Sequence, residues 1–417
     1  MVVRRVLLNA GPIVHFGAQT SPYEEQIFAA GKGIVLEGSQ IVSIQDSSDL
    51  LDEYSGAESD ADSTLKIHDL GGAAVIPGLI DAHTHLLWAG DRSPEVRLRR
   101  EGMTYADIAR NGGGIQSTVR ATRASSNESL FQVGYVRLRE ALSTGTTHLE
   151  AKSGYGLDTE TELRLLDVMK TLGGVAHVPT IDPTWMGAHD VPDGATMAGY
   201  VDELVSEQLP AVVEQNIARS ADVFCEPGWF DVEASERILT EARNQGMSLR
   251  MHVDEFKDGG GGALAADLGV ESADHAYCTP LEVRRTMRDR GVMTGFLPGT
   301  PYAMGDQWPN MNEIENETVP YTLATDFNPN CQTLSLPFMM SLMVQRCGVH
   351  PLDALRAVTV NAAKTSPHPT GLVHGQIKEG AVANLNILQT QHWESVCLRP
   401  TGSPFSATVL NGHFIAH

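Results

Sequence analysis

Short apolar runs alternate with polar, helix-like stretches through the middle of the chain. Apolar runs bounded by glycine, proline or charged residues predict strands buried on both faces, and strands alternating with helices predict a parallel sheet. The predicted strands are 75–85, 147–153, 176–189 with an interruption, 222–227, 248–256, 271–277, 292–298 and 321–327. The predicted helices are 127–143, 159–172, 197–214, 233–245, 280–290 and 351–363.

The number and order of these units predict an α/β fold of the TIM (β/α)8 barrel type, with catalytic residues at the carboxyl ends of the strands. The two ends of the chain follow another pattern, with short strand-like runs and turn residues such as Asn411-Gly412. We therefore expect residues 1–74 and 375–417 to form one small β-sandwich domain, and residues 75–374 to form the barrel.

Metal-binding and acid–base residues follow most of the predicted strands. The first strand leads to His83-Thr84-His85, and because strand side chains alternate, both imidazoles point the same way. Two converging imidazoles are typical of a metal site, although a pair alone is equally compatible with surface histidines. The other polar residues at predicted strand ends are Glu150, Lys152, Tyr155, His189, Cys225, Glu226, His252, Asp254, Glu255, Asp274, His275, Asp326, Asn328 and Asn330. Their recurrence at one rim indicates a catalytic site.

The charge balance is strongly acidic. The chain has 52 acidic and 30 basic residues, a formal net charge of −22, and only seven of the basic residues are lysines. A nucleic-acid partner is disfavoured, because phosphate binding needs a basic surface. The composition suits an ordinary acidic enzyme, and more specifically an enzyme adapted to high salt, where ions screen repulsion among carboxylates. The acidic stretch 50–63 is predicted to be a solvated excursion.

Segments that would mark a membrane or secreted protein are not expected. No apolar run is long enough for a transmembrane helix, and the apolar part of the first residues is too short for a signal peptide. The five cysteines, Cys225, Cys278, Cys331, Cys347 and Cys397, are scattered and form no C-x-x-C pair. This usage is typical of a reducing compartment, so we expect a cytoplasmic enzyme.

Several longer motifs accompany the two histidines. They are Pro77-Gly78-Leu79-Ile80-Asp81, the glycine-rich stretch 111–119 with 122–125, Lys152-Ser153-Gly154-Tyr155-Gly156-Leu157, Gly187-Ala188-His189, Ser272-Ala273-Asp274-His275, Leu297-Pro298-Gly299-Thr300 and 324–329. With these motifs the chain resembles, over nearly its whole length, the imidazolonepropionases, amidohydrolase-superfamily enzymes of histidine degradation. The glycine-rich stretch and the Lys-Ser-Gly-Tyr-Gly motif are more specific to that family than the histidine pair is.

The resemblance implies a metal-dependent hydrolase that opens the ring of 4-imidazolone-5-propanoate to give N-formimidoyl-L-glutamate. It implies one zinc or iron ion per chain, held by His83, His85, His252 and Asp326. Three imidazoles and a carboxylate are a ligand set that leaves room for water or substrate. The residues expected to contact substrate are Arg92, Tyr155, His189, Glu255, Asn328, Asn330 and Cys331.

Roles within this site are assigned as hypotheses. Arg92 suits a propionate carboxylate, His275 is the candidate to orient or deprotonate water, and Glu255 is the candidate to bind the ring nitrogens and shuttle a proton. Asp326 either only binds the metal or also receives the proton, and both interpretations stay open. Lys152 lies on the second strand, whereas the bridging lysine of binuclear relatives belongs on the fourth, so we expect a single metal.

Two alternatives and three departures from the family pattern remain. A deaminase of an aminated heterocycle would use a similar set of histidine, glutamate and aspartate. A non-catalytic scaffold is disfavoured, because every ligand position is filled. The departures are a longer segment at 178–189, four glycines at 259–262, and Asn330 where the family commonly has glycine. We expect a small-molecule substrate, no nucleic-acid or membrane partner, and a homodimer.

Overall fold

The computed structural model describes residues 3–17, 22–54, 64–103, 105–305 and 307–417. Most of the predicted acidic excursion at 50–63 lies outside the described residues.

Eighteen strands are present in the described part of the chain. They are β1 Arg4–Leu8, β2 Ile13–Val14, β3 Ile27–Phe28, β4 Lys32–Glu37, β5 Gln40–Asp46, β6 Leu65–Asp69, β7 Val75–Pro77, β8 Leu79–Asp81, β9 Thr146–Lys152, β10 Thr180–Ala188, β11 Ser220–Cys225, β12 Ser248–Val253, β13 Ser272–His275, β14 Met293–Phe296, β15 Tyr321–Leu323, β16 Leu385–Leu388, β17 Phe405–Leu410 and β18 His413–Ala416.

Sixteen α-helices accompany these strands within the described ranges. They are α1 Ser47–Tyr54, α2 Pro94–Arg100, α3 Tyr105–Arg110, α4 Gly114–Ala124, α5 Asn127–Ser143, α6 Thr159–Gly173, α7 Met197–Glu203, α8 Leu209–Gln215, α9 Val232–Asn244, α10 Gly261–Leu268, α11 Leu281–Asp289, α12 Gly299–Met304, α13 Met311–Asn316, α14 Leu336–Cys347, α15 Pro351–Ala357 and α16 Ala362–Thr365. A π-helical turn, Leu204–Gln208, joins α7 to α8. Among these described helices, none combines the length and the apolar character needed to cross a membrane.

Eight parallel strands, β8 to β15, lie side by side in chain order and form the barrel wall. The wall closes just beyond its two end strands, through a bridge between Thr84 and Phe327. There the backbone N–H of His85 donates to the carbonyl of Phe327 at 2.9 Å, and that of Asp326 donates to the carbonyl of His83 at 3.2 Å. The (β/α)8 prediction is confirmed, and the closing contacts join the two segments that carry candidate metal ligands.

The wall strands are buried because helices cover their outer side. Every residue of β9 is buried, as expected for a strand of a parallel barrel. The helices begin where a side chain satisfies their first amides: Ser126 accepts from the amide of Ser129 before α5, and Asp158 accepts from that of Thr161 before α6. These caps explain why the predicted bounds of α5 and α6 agree closely with the structure.

Two further sheets form the β-sandwich. One contains β5, β4, β1 and β6 in that order, and the other contains β18, β17, β16, β7, β2 and β3. Their facing sides share a core that includes Leu7, Ile34, Val75, Leu385 and Val409. Strands from both ends of the chain therefore build this layer, as predicted.

The predicted first strand, 75–85, is wrong as a single element. Val75–Pro77 pairs with β2 and β16 of the sandwich, and only Leu79–Asp81 joins the barrel. Gly78 separates these two strands. A Cβ atom at this position would come within 2.7 Å of the Thr147 side chain. The pairing of β7 with β2 and β16 thus extends the sandwich past the predicted boundary at residue 75. The division into a sandwich of residues 1–74 and 375–417 and a barrel of residues 75–374 stays a prediction.

Three other predicted elements also differ. The interrupted strand at 176–189 is one strand, Thr180–Ala188, with a register shift between Trp185 and Ala188. The helix predicted at 351–363 ends at Ala357, and a separate short helix follows it. The glycines at 259–262 lie in no predicted helix, yet they include the first residues of α10.

Candidate metal centre and substrate pocket

The four predicted metal ligands lie together at the carboxyl end of the barrel, and all are buried. The Nε2 atoms of His83 and His85 lie 3.5 and 3.7 Å from Oδ1 of Asp326. The Nε2 atom of His252 lies 3.4 Å from Nε2 of His85. A second grouping of ligand atoms joins His83 and His252 to His275. The structure thus brings the four residues together, and their role as the metal ligands stays a prediction.

Carboxylates behind the histidines fix the direction of two rings. His83 Nδ1 donates to Asp274 Oδ2 at 2.7 Å, and His252 Nδ1 donates to Asp222 Oδ1 at 3.0 Å. The Nε2 atoms therefore face the centre of the cluster, an arrangement typical of metal-binding histidines. His83 Nε2 is buried and has no hydrogen-bond partner among the described residues. This unsatisfied nitrogen, with two more imidazoles and a carboxylate nearby, fits a divalent metal ion.

Burial prepares these groups for metal binding. It lowers the pKa of His83 and of His85 well below the usual value, so both imidazoles are neutral at pH 7, the form that binds metal. Burial raises the pKa of the Asp326 carboxyl, and a hydrogen bond from Thr300 acts in the opposite direction. The Thr300 hydroxyl donates to Asp326 Oδ2 at 2.7 Å and so orients the carboxylate.

Lys152 is fully buried beside the cluster and is held by two carboxylates. Its Nζ atom lies 2.8 Å from Glu150 Oε1 and 2.7 Å from Asp222 Oδ2. Burial favours the protonated form of Asp222, but His252 and Lys152 outweigh it and lower the pKa of that carboxyl. Lys152 thus serves as the counter-ion of Glu150 and Asp222, behind His252, and the single metal stays a prediction.

The backbone turns sharply at two residues of the cluster, one at the end of β13 and one just after β15. His275 and Asp326 have φ angles of 65° and 48°, in the left-handed region that L residues rarely adopt. Such conformations cost roughly 1–2 kcal/mol each and concentrate at functional sites.

A pocket opens above the cluster, and all seven predicted substrate residues line it. The predicted lining residues are Arg92, Tyr155, His189, Glu255, Asn328, Asn330 and Cys331. Sequence reasoning missed an aromatic side of the pocket, formed by Phe224, Trp229 and Phe256. The Phe224 and Trp229 ring centres are 5.0 Å apart, and those of Trp229 and Phe256 are 6.1 Å apart. An aromatic wall of this kind suits a flat ring.

Tyr155 and His189 meet at one side of the pocket, with ring centres 5.1 Å apart. His189 Nδ1 lies 2.9 Å from the Gly154 carbonyl oxygen, and burial lowers the pKa of His189 to about 3. With Nδ1 as the donor to that carbonyl, Nε2 is the acceptor of a neutral ring. The Lys-Ser-Gly-Tyr-Gly motif wraps around buried Glu162, which accepts from the amides of Gly154, Gly156 and Leu157.

Glu255 approaches His275, with 3.7 Å between Glu255 Oε1 and His275 Nδ1. The segment that carries Glu255 is anchored by Glu226, whose carboxylate accepts from the amides of Glu255, Phe256 and Lys257 at 2.8, 3.2 and 3.0 Å. Glu226, one of the polar residues at predicted strand ends, therefore supports the backbone of the candidate proton shuttle.

Two predicted substrate contacts have partners that sequence reasoning did not foresee. The Nε and Nη2 atoms of Arg92 donate to the two carboxylate oxygens of Glu95 at 2.9 and 2.8 Å. Asn328 accepts from the amides of Asn330 and Cys331 and donates to the Asp326 carbonyl. The Arg92 guanidinium is thus paired with the Glu95 carboxylate. The Asn328 side chain stabilises the turn that follows Asp326.

Comparison with known proteins agrees with the barrel fold. Residues 74–409 match the Amidohydrolase family. The chain is similar in fold to 5-methylcytosine deaminase from Klebsiella pneumoniae (TM-score 0.69, 15% identity, covering 99% of this chain and 97% of that one). It is likewise similar to Aspergillus niger ochratoxinase (TM-score 0.67, 17% identity, covering 99% and 96%).

Relatives of higher sequence identity identify a narrower family within the amidohydrolases. The chain is 42% identical over 332 residues to imidazolonepropionase of Haloarcula marismortui, covering 80% of this chain and 78% of that protein. It is 41% identical over 334 residues to imidazolonepropionase of Symbiobacterium thermophilum, covering 79% and 78%. The chain therefore belongs to the amidohydrolase family and, within it, to the imidazolonepropionases.

Proposed function

We propose that this enzyme opens the ring of 4-imidazolone-5-propanoate by hydrolysis, giving N-formimidoyl-L-glutamate in histidine degradation. One observation carries the proposal: the buried cluster of His83, His85, His252 and Asp326 lies at the base of a pocket that contains Arg92. Membership of the imidazolonepropionases supports the same reaction.

The chain's own residues supply orientation and proton transfer. A divalent ion bound at the cluster lowers the pKa of water and polarises a carbonyl group. We propose that His275 takes the proton of the attacking water, because its ring lies beside His252 and Glu255, with ring centres 5.3 Å apart for the two histidines. Glu255, whose Oε1 lies 3.7 Å from His275 Nδ1, would receive this proton and pass it to the ring nitrogen as the bond between that nitrogen and the attacked carbonyl carbon breaks. Asp326 remains the alternative acceptor of the water proton.

The metal, the cellular compartment and the oligomeric state are also part of the proposal. One zinc or iron ion per chain is expected, because both Nζ contacts of Lys152 are to carboxylates rather than to the histidine cluster. A reducing cytoplasm suits the five free cysteines, of which three are buried. A homodimer is also expected, and sedimentation of the purified protein measures it.

The first test uses purified enzyme and freshly prepared imidazolone propionate. We expect formation of N-formimidoylglutamate and one equivalent of tightly bound metal by elemental analysis. His83→Ala and Asp326→Ala should lose both metal and activity, whereas His392→Ala, an exposed histidine far from the cluster in sequence, should keep both. Two equivalents of metal, or full activity after exhaustive chelation, would contradict the single-metal site. Ammonia release from an aminated heterocycle, with no turnover of the imidazolone, would favour a deaminase.

A further inference from the structure

The buried pair of Arg92 and Glu95 is unusual for an ion pair three residues apart in sequence. Two parallel hydrogen bonds join them, and the two side chains are 4% and 6% exposed. At the other end of α2, Arg97 and Glu101 form a similar pair at 2.8 Å, but their side chains are 69% and 53% exposed. Surface pairs of that kind contribute little, whereas a buried bidentate pair fixes both groups in one geometry.

Glu95 is itself held by the glycine-rich stretch. Its Oε1 atom accepts from the amide of Gly114 at 2.9 Å. A Cβ atom at Gly113 would lie 3.1 Å from that oxygen and 2.8 Å from Ile108, and Gly114 has a φ of +67°. The glycines therefore let the backbone come close enough to donate a hydrogen bond to Glu95. Ile115, immediately after them, lines the pocket. This contact gives a physical reason for a motif that the metal site does not explain.

Building on the proposed function, we propose that Glu95 is a positioning residue for recognition of the substrate carboxylate. It holds Arg92 by the guanidinium edge that carries Nε and Nη2. A carboxylate entering the pocket, which Arg92 lines, would then meet a guanidinium held in one fixed direction. Because the pair is formally neutral, recognition depends on the direction of the donors and not on an excess of positive charge.

A competing interpretation makes the opposite prediction. If Glu95 occupied the edge that the substrate needs, its carboxylate would compete with the substrate for Arg92, and removing its charge would tighten binding. If Glu95 served stability alone, its loss would affect every substrate equally. Burial favours positioning, because an arginine whose partner is removed at a buried site is left with an uncompensated charge and no fixed orientation.

The experiment compares Glu95→Gln with a matched control, Glu101→Gln, which removes the carboxylate of the exposed pair at the end of α2. Each variant is assayed with imidazolone propionate and with the corresponding propanamide, which lacks the negative charge. We expect Glu95→Gln to raise KM for the acid by about 10- to 100-fold, the range expected for one charge-assisted hydrogen bond, with kcat within about twofold. KM for the amide should stay within about twofold, and Glu101→Gln should resemble the wild type. Metal content should be normal in both variants.

A second arm links the effect to Arg92. In an Arg92→Met background, Glu95→Gln should add almost nothing to KM for the acid, because both changes remove the same contact. Three results would overturn the proposal: a lower KM for the acid, an equal rise for acid and amide, or full additivity with Arg92→Met. Glu95→Asp, which keeps the charge but withdraws the carboxylate by one methylene, should raise KM for the acid and serves if the Gln variant does not fold.

Failure of the proposed function can be distinguished from failure of the proposal for Glu95. If the wild type does not turn over imidazolone propionate, the proposed function fails. The role of Glu95 is then read from the Kd of imidazole-4-propanoate by calorimetry. Weaker binding of this carboxylate to Glu95→Gln supports positioning, and unchanged or tighter binding overturns it.

Discussion

At the scale of single residues, the metal-binding imidazoles depend on the carboxylates behind them. Asp222 connects His252 to Lys152, with 3.0 Å to the imidazole and 2.7 Å to the ammonium group. His252 and Lys152 together lower the pKa of Asp222, and the ionised carboxylate accepts the hydrogen bond from His252 Nδ1. The lysine therefore acts on the cluster through one intermediate side chain.

Replacing Asp222 by Asn should lower metal affinity by about 10- to 100-fold, the usual effect of losing such a partner. The amide keeps the shape but no longer compensates Lys152 or fixes the tautomer of His252. Competition with a chelator measures the dissociation constant, and Asp202→Asn, at an exposed position on α7, is the control. Unchanged affinity would show that Asp222 is not needed to orient His252.

Arg92 and Glu255 should differ in the kinetic constant they affect. Arg92→Met removes donors remote from the breaking bond, so kcat/KM should fall about 10- to 100-fold with most of the change in KM. Glu255→Gln keeps the shape and removes proton transfer, so kcat should fall about 10²- to 10⁴-fold. Steady-state kinetics and metal analysis check both variants. Near wild-type kcat for Glu255→Gln, or metal loss in Arg92→Met, would refute this division of roles.

The sequence identifies the side chains of the site better than their partners. His83, His85, His252 and Asp326 stand at strand ends, where periodicity and motif both mark them. The partner of His83 is Asp274, 191 residues away, and this pairing depends on the arrangement of strands around the barrel. Glu95 is the exception, since an acidic residue three positions after Arg92 at a helix start is a local signal that the sequence does contain.

At the scale of elements, the hairpin of β17 and β18 tests how closely the sandwich is packed. Its turn contains Asn411-Gly412, the hairpin signal found in the sequence. Gly412 has a φ of +80°, and a Cβ atom there would collide with the carbonyl oxygen of Gly38. Gly348, which ends α14, has a similar φ of +74° but nothing within 4 Å of the corresponding position.

Gly412→Ala should therefore destabilise the protein by about 2–5 kcal/mol, the sum of backbone strain and overpacking. Gly348→Ala should cost only about 1–2 kcal/mol, because it carries the strain alone. The two variants are compared by the midpoint of urea unfolding. Equal midpoints would mean that the hairpin moves away from the β4–β5 turn at little cost.

Element types were predictable where amphipathic period and caps agree, as in α5 and α6. Boundaries were not predictable where one apolar run serves two sheets, as in β7 and β8, because both strands are equally buried. The start of α10 was missed for another reason. Asp254 accepts from the amides of Gly259, Gly261 and Gly262, so a side chain distant from the helix replaces the missing local cap.

At the scale of the whole molecule, the net charge of −22 should make stability depend on salt. Repulsion among exposed carboxylates acts over about 10 Å at 0.1 M salt but only about 3 Å at 1 M. Raising KCl from about 0.1 M to about 3 M should therefore raise the thermal midpoint and the activity. An uncharged osmolyte of matched water activity is the control, since it does not screen charge. A midpoint that peaks in dilute buffer would reject adaptation to high salt and leave the enzymatic assignment unchanged.

The position of β7 has a consequence for synthesis of the chain. This strand is complete at residue 77 of 417, but one of its two neighbours, β16, begins at Leu385. At about 5–20 residues per second, a ribosome needs roughly 15 to 60 s to make the intervening segment. During that time a strand that is fully apolar has a bare edge, and such edges pair with other chains. The period of greatest risk of misassembly therefore falls during translation, and it ends only when β16 emerges from the ribosome.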